Sequence, residues 1–218
     1  MKIINAGYKI TKPDLDGPNA AGRIYREIEQ MGRLCYKSED QITDESAEKF
    51  VRTLVKNGHE AMLEHASMSV IFTVDRGVSH ELVRHRLASF AQESTRYCNY
   101  SKDKFGTEIT VIQPWYLDSS SGAYNSWVRE MNEAEKAYFA MLNQGCSPQE
   151  ARAVLPNSLK TEIGMTANMR EWRNVLKLRA AGTTGRPHPQ MLEVMVPLLN
   201  ELRLKLPALF DDIVPLRE

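Results

Sequence analysis

The chain has 218 residues, of which 42% are hydrophobic and 26% charged, with Lys plus Arg equal to Asp plus Glu at 28 each. This is the composition of a globular protein with a real core, and its zero formal charge argues against a generic nucleic-acid or membrane-surface binder, which is usually basic overall. The start MKIINAGYKITK lacks the apolar core of a signal peptide, no apolar run approaches a membrane span, and Cys35, Cys98 and Cys146 are too few and too scattered for a disulfide framework or a zinc pattern, so the expected setting is a reducing cytoplasm, away from membranes.

In chain order, residues 2–5 read as a short strand. Residues 23–35 read as a helix with Ile24, Ile28 and Met31 on one side. Thr43 is the expected N-cap of a second helix. Its stripe is Ala47, Phe50, Val51, Leu54 and Val55, and Gly58 stands at its C′ position. Residues 67–74 alternate, with Met68, Val70, Phe72 and Val74 on one face, and Gly77 is the expected break. A helix from Val78 to about Leu87 would carry Arg84-His85-Arg86 near its end. Residues 109–112 read as a short strand stopped by Pro114, and residues 127–144 as a long, charge-rich helix.

Ser147-Pro148-Gln149-Glu150 is a capping box with proline at the first helical position. It predicts a helix that includes Arg152 and ends at Pro156. Residues 159–167 read as a strand. Residues 169–180 read as a helix with Trp172, Val175, Leu176 and Arg179 at helical spacing. A turn-rich loop over 182–189 precedes a last long helix over 190–205, with Pro197 a candidate bend. No repeat, low-complexity tract or linker interrupts the chain. Many helices with a few strands predict an α+β fold, and residues 1–218 are expected to form a single domain.

Chemistry concentrates in RHRLASFAQESTRY, residues 84–97. The cations Arg84, His85, Arg86 and Arg96, with the hydroxyls of Ser94 and Thr95, need an anionic partner, and guanidinium forks match phosphate oxygens. At about 100° per residue on a helix, Arg84, His85 and Arg86 point three ways and cannot all grip one small phosphate. They could serve two adjacent anions, or one ligand on each side of the chain. Ser94-Thr95-Arg96 combines hydroxyls, backbone N–H groups and a guanidinium in the manner of a phosphate cradle.

His59, His65, His80 and His85 cluster in sequence, but His59-Glu60-Ala61-Met62-Leu63 has leucine where the zincin pattern needs a second histidine. His59 and His65 are also off one helical face, so no metal site is expected. No cysteine or serine sits in a nucleophile context, and neither a Gly-x-Gly-x-x-Gly turn nor a Walker loop occurs.

Four blocks together resemble one family. They are RHRLASFAQESTRY, Asn57-Gly58-His59-Glu60 with Leu63-Glu64-His65, Glu150-Ala151-Arg152-Ala153-Val154-Leu155-Pro156, and Asn168-x-Arg170-x3-Asn174-x4-Arg179-Ala180. Their order and spacing are similar to those of flavin-dependent thymidylate synthases. The resemblance implies long helices around a small, mainly antiparallel sheet, in a homotetramer with active sites shared between subunits. It implies reductive methylation of dUMP to dTMP, with methylenetetrahydrofolate supplying the carbon, NADPH reducing FAD, and no covalent protein nucleophile.

Carried onto this sequence, the resemblance implies FAD contacts at His59, Ala61, Arg84, His85, Arg86, Gln92, Asn168, Arg170 and Asn174. It implies dUMP contacts at Glu81, Arg84, Gln92, Glu93, Ser94, Thr95, Arg96, Arg152 and Arg179. Arg179 is the expected catalytic residue, stabilising negative charge on the uracil. Glu81 stands where many members carry Gln, Gln92 where many carry Glu, and Ala61 where many carry Ser or Thr.

Overall fold

The strictest alternation in the sequence becomes strand β3 (Ser67–Asp75), in which Met68, Val70, Phe72 and Val74 are all fully buried, as a period-two pattern requires. The computed structural model describes residues 1–102 and 106–216. Strand β3 is an interior member of a mainly antiparallel four-stranded sheet of order β2 (Gly7–Lys12), β3, β6 (Lys160–Asn168), β4 (Ala88–Gln92). A second pair sets β1 (Lys2–Ile4) parallel to β5 (Thr110–Ile112), with Ile3 opposite Val111. Helices and a small sheet together make the α+β class expected from the sequence.

Two compact units account for the chain. The first comprises Met1–Gly7, Phe72–Arg84 and Ala91–Ile163, and the second Tyr8–Ile71, His85–Phe90 and Gly164–Glu218. The first unit holds α3 (Arg76–Leu82), α4 (Gly122–Asn143) and α5 (Pro148–Ala151). Its core gathers Ile109, Val111, Tyr138 and Leu159, with Tyr100 edge-on to Tyr138 at 5.6 Å. The second unit holds α1 (Ala20–Tyr36), α2 (Ser46–Lys56), α6 (Met169–Arg179), α7 (Pro189–Lys205) and α8 (Pro207–Phe210). There α1 packs on α2, and α6 packs on α7. The Trp172 indole is fully buried and donates to the Met68 carbonyl at 2.9 Å, so its one polar atom is satisfied.

Several local expectations are corrected. Helix α3 ends at Leu82, not near Leu87, so Arg84-His85-Arg86 lie in a turn and are not spaced by 100° helical steps. Leu87 is 76% exposed, so its apolar side chain never continued a buried stripe. Strand β3 stops at Asp75, whose carboxylate accepts from Val78 N at 2.6 Å. Gly77 lies inside the helix that this cap starts. Thr43 is not the cap of α2, which begins at Ser46, because the Ser46 hydroxyl closes a turn with the backbone of Thr43. Helix α5 is a single turn, and Arg152 opens the 3-10 turn that follows it. Met31 is 36% exposed and lies off the buried face of α1. Strands β2 and β4 and helix α8 are additional to the expected elements.

Candidate active site

In the first unit the Asp75 cap fixes α3, which puts Glu81 in its last turn and leaves Arg84 just beyond it, Arg84 N donating to Glu81 O at 3.2 Å. After β4, Glu93 N donates to Glu162 O at 2.9 Å. The chain then turns about Ser94, whose carbonyl accepts from Tyr97 N at 3.1 Å and Cys98 N at 2.9 Å. Arg96 N donates to the Ser94 hydroxyl at 3.3 Å. Thr95 is 7% exposed, and its Oγ1 accepts from Arg152 Nη1 at 3.4 Å. The fold thus brings Ser94, Thr95, Arg96 and Arg152 together, although 57 residues separate Thr95 from Arg152. Arg84, Arg96 and Arg152 are exposed, and among the described residues none of them forms an ion pair.

Gln92 Nε2 donates to Ser79 Oγ at 2.9 Å and to Thr161 Oγ1 at 3.2 Å. Ser79 has already given its proton to the Arg76 carbonyl at 2.9 Å. Its oxygen can only accept, so an amide donor suits position 92 where a carboxylate would not. Lys160 sits 3.0 Å from Glu93 and 3.6 Å from Glu162, offsetting the negative charge beside the Ser94 turn.

In the second unit, Asn168 ends β6 and caps α6, its Oδ1 accepting from Glu171 N at 2.8 Å. One turn on, Asn174 Nδ2 donates to both Glu171 oxygens, at 3.4 and 3.3 Å. Asn168, Arg170 and Asn174 line a cleft of about 510 Å³ together with Glu60, Glu64, Leu87, Glu171 and Lys177. Arg170 Nη1 donates to Glu64 at 2.6 Å. Glu60 gathers three cations: Arg173 at 3.1 Å, Lys177 at 3.7 Å and Arg170 at 3.9 Å. Arg173 is fully buried and is further held by Asp212 at 2.7 Å and by the Leu209 carbonyl. A neighbouring groove contains Arg86 and shares Leu87 and Asn168 with the cleft.

His59 and Ala61 are exposed on the 3-10 turn before β3 and do not line the cleft, whereas Glu60 and Glu64 of that turn do. His85 is 6% exposed and also lies outside the lining. It meets Arg179 instead: Arg179 Nε donates to His85 Nε2 at 3.1 Å, and His85 Nδ1 lies 3.4 Å from Glu171 Oε1. Burial, and then the Arg179 cation, push the His85 pKa below its ordinary value against the pull of Glu171, so the ring is neutral near pH 7. Among the described residues, no group of three or more His, Cys, Asp or Glu side chains could hold a metal ion, and no helix is long and apolar enough to cross a membrane.

Sequence reasoning missed Glu60, Glu64, Leu87, Glu171 and Lys177 as cleft residues. Glu171 carried a signal, since an acidic residue three positions after a cap such as Asn168 is common in a first helical turn.

The sequence from residue 23 to residue 208 matches the family model described as thymidylate synthase complementing protein. A flavin-dependent thymidylate synthase from Pyrococcus furiosus is 31% identical over 192 residues, covering 87% of this chain and 74% of that protein. One from Corynebacterium aurimucosum is 32% identical over 203 residues, covering 85% and 78%. The fold is similar to that of the UMP/dUMP methylase PolB from Streptomyces cacaoi bound with 5-Br dUMP, with a TM-score of 0.77 at 19% identity over 97% of this chain and 96% of that one. The family match runs through every block that carries the exposed arginines, the cleft and the His85–Arg179 pair, and on that footing this chain belongs to the flavin-dependent thymidylate synthase family and is an enzyme.

Proposed function

We propose that this enzyme converts dUMP to dTMP, with methylenetetrahydrofolate as carbon donor and NADPH as reductant of a bound FAD, and with no bond between substrate and protein. Family membership supports the reading. The observation that carries it is the Asn168–Arg170–Asn174 cleft beside the half-buried His85–Arg179 pair, all within one unit.

The cleft residues fit a flavin in kind. Asn168 and Asn174 offer amides to a ring edge, Leu87 an apolar face, and Arg170 and Lys177 charge for phosphate. The three lining carboxylates would oppose a phosphate, but each already has partners: Glu60 and Glu64 face cations, and Glu171 faces His85 and Asn174. Asn168, Arg170, Asn174 and Arg86 would hold the flavin, with His59, Ala61, Arg84, His85 and Gln92 as further candidates outside the cleft lining. When bound and reduced, the flavin supplies the hydride.

In this reading Ser94, Thr95, Arg96 and Arg152 hold the nucleotide phosphate through hydroxyls and forked guanidiniums. Arg84, Glu81, Gln92 and Glu93 address its sugar and base. Arg179 stabilises negative charge on the uracil, as a preorganised cation does best when its own position is fixed. Residues 1–218 work as one catalytic domain in a cytoplasmic homotetramer whose subunits share active sites. Tritium release from dUMP labelled at C5 tests the whole. Release that needs FAD, NADPH and methylenetetrahydrofolate together is expected. Undiminished release by flavin-free protein, or a covalent pyrimidine–protein adduct on the productive route, would end it.

A further inference from the structure

We infer that Glu171 is a positioning residue for Arg179: it fixes the proton of His85 on Nδ1, so that His85 Nε2 offers Arg179 a lone pair and sets the direction of its guanidinium. The inference rests on the role proposed above for Arg179.

An arginine side chain only donates and stays charged. The His85 nitrogen 3.1 Å from Arg179 Nε must therefore carry a lone pair. An imidazolium there would set N–H against N–H and cation against cation. The ring proton belongs on Nδ1, and what lies opposite Nδ1, at 3.4 Å, is the Glu171 carboxylate, which only accepts. His85 and Glu171 are each 6% exposed, so bulk water is poorly placed to replace either partner. A histidine's outer hydrogen bond setting the function of its inner nitrogen is a general device.

Glu171 is itself pinned. Its N–H is held by Asn168 Oδ1 at 2.8 Å, and its oxygens accept from Asn174 at 3.4 and 3.3 Å. Glu171 stands in the first turn of α6 and Arg179 is the last residue of that helix, so His85 braces one end of the helix against the other. A solvated first-turn acid would need no such burial. The brace also ties the cleft-lining Asn168 and Asn174 to Arg179, so both proposed ligand contacts share one support.

The test uses flavin-loaded full-length enzyme and Glu171→Leu, which removes the acceptor and keeps bulk. At saturating flavin, turnover should fall about ten- to a hundredfold, as expected for one hydrogen bond to a charged group, with KM for dUMP changed less than about twofold because the ground state is little affected. Nitrogen-15 NMR of the histidine side chains should show Nδ1-protonated His85 in the native enzyme and a tautomer mixture in the variant. Glu171→Gln, a neutral acceptor that keeps the shape, should show a smaller loss of the same kind, and it carries the test if Glu171→Leu does not fold.

Combined with Arg179→Ala, either Glu171 variant should add nothing to the fall in turnover. Additive losses, or a Glu171→Leu enzyme with native tautomer and turnover, would overturn the inference while leaving the role of Arg179 standing. Normal turnover in Arg179→Ala alone would instead remove the reading it rests on, and the inference with it.

Discussion

Most of the candidate-site arginines are held differently in the two units, Arg86 of the second unit being the exception, exposed and, among the described residues, without an ion pair. In the first, Arg84, Arg96 and Arg152 are exposed and, among the described residues, form no ion pair, while Glu93 is occupied by Lys160 at 3.0 Å. In the second, Arg170, Arg173 and Lys177 converge on Glu60, and Arg179 rests on His85. A guanidinium without a carboxylate partner has no ion pair to give up when an anion arrives, so the phosphate of a nucleotide need displace only water there and, at Arg152, the Thr95 hydroxyl. A paired one must exchange a carboxylate for the ligand, and the exchange is closer to neutral. The difference suits a small dianion on the first unit and a large, mostly neutral ring system on the second. It also says where each function is fragile: affinity on the first, geometry on the second.

The largest loss is expected from Arg179→Ala. If the second unit acts through fixed geometry, turnover should drop by about two to three orders of magnitude, the cost of removing one preorganised charge-stabilising donor. Flavin content, read from visible absorbance, should stay near native. Unchanged turnover would put Arg179 outside the mechanism.

Next in size is Arg96→Ala. A lost hydrogen bond to phosphate is worth about 1.5–3 kcal/mol, so nucleotide affinity by calorimetry should weaken about ten- to a hundredfold while flavin affinity does not move. Equal losses in both would erase the division of labour between the units.

A smaller effect links His85 to stability. Burial, and then the Arg179 cation, hold its folded pKa below the ordinary value. Glu171, facing it at 3.4 Å, opposes the shift without cancelling it. As pH falls below about 6.5, the unfolded chain takes up a proton here that the folded chain refuses. The stabilisation is therefore complete above that value and is lost as pH drops toward the lower folded pKa. Melting temperatures of native enzyme and His85→Gln, followed from about pH 8 to about pH 5, should converge on acidification as the native enzyme loses this advantage. Parallel curves would mean that His85 titrates alike in both states.

Much of the framework was legible because periodicity reports burial. Val70, Phe72, Trp172 and Leu176 are fully buried, and the alternation of β3 and the stripe of α6 placed them on core faces. Legibility failed where apolar residues are not buried. Val83 at 40% and Leu87 at 76% exposure lie in the part of the expected Val78–Leu87 helix that the Leu82 terminus cuts off. Strand β4, Ala-Ser-Phe-Ala-Gln, alternates in exposure but has no buried position and no regular apolar–polar alternation in sequence, so its sheet pairing had no sequence signal. The candidate residues themselves were visible as cations and hydroxyls in recognisable blocks. Their partners were not: His85 and Arg179 are 94 residues apart, and Arg170 and Glu64 are 106 apart. Tertiary pairing at such separations leaves no local pattern to read.

The gentlest test asks whether pairing in the second unit is a restraint on flavin binding or a requirement for it. Arg170 is exposed and tied to Glu64 at 2.6 Å, with Glu60 3.9 Å away. Both carboxylates line the same cleft as Arg170. If the pair competes with ligand, Glu64→Gln frees the guanidinium and removes a negative charge facing the bound phosphate. Flavin affinity, followed by fluorescence quenching, should then rise, by about fivefold at most because exposed pairs are weak. The gain should shrink with added salt, since screening already weakens the native competition. A loss of affinity would mean that Glu64 instead aims Arg170 at its ligand. The second unit would then depend on its carboxylates for geometry at Arg170 as it does at Arg179, and the contrast with the unpaired arginines of the first unit would be sharper still.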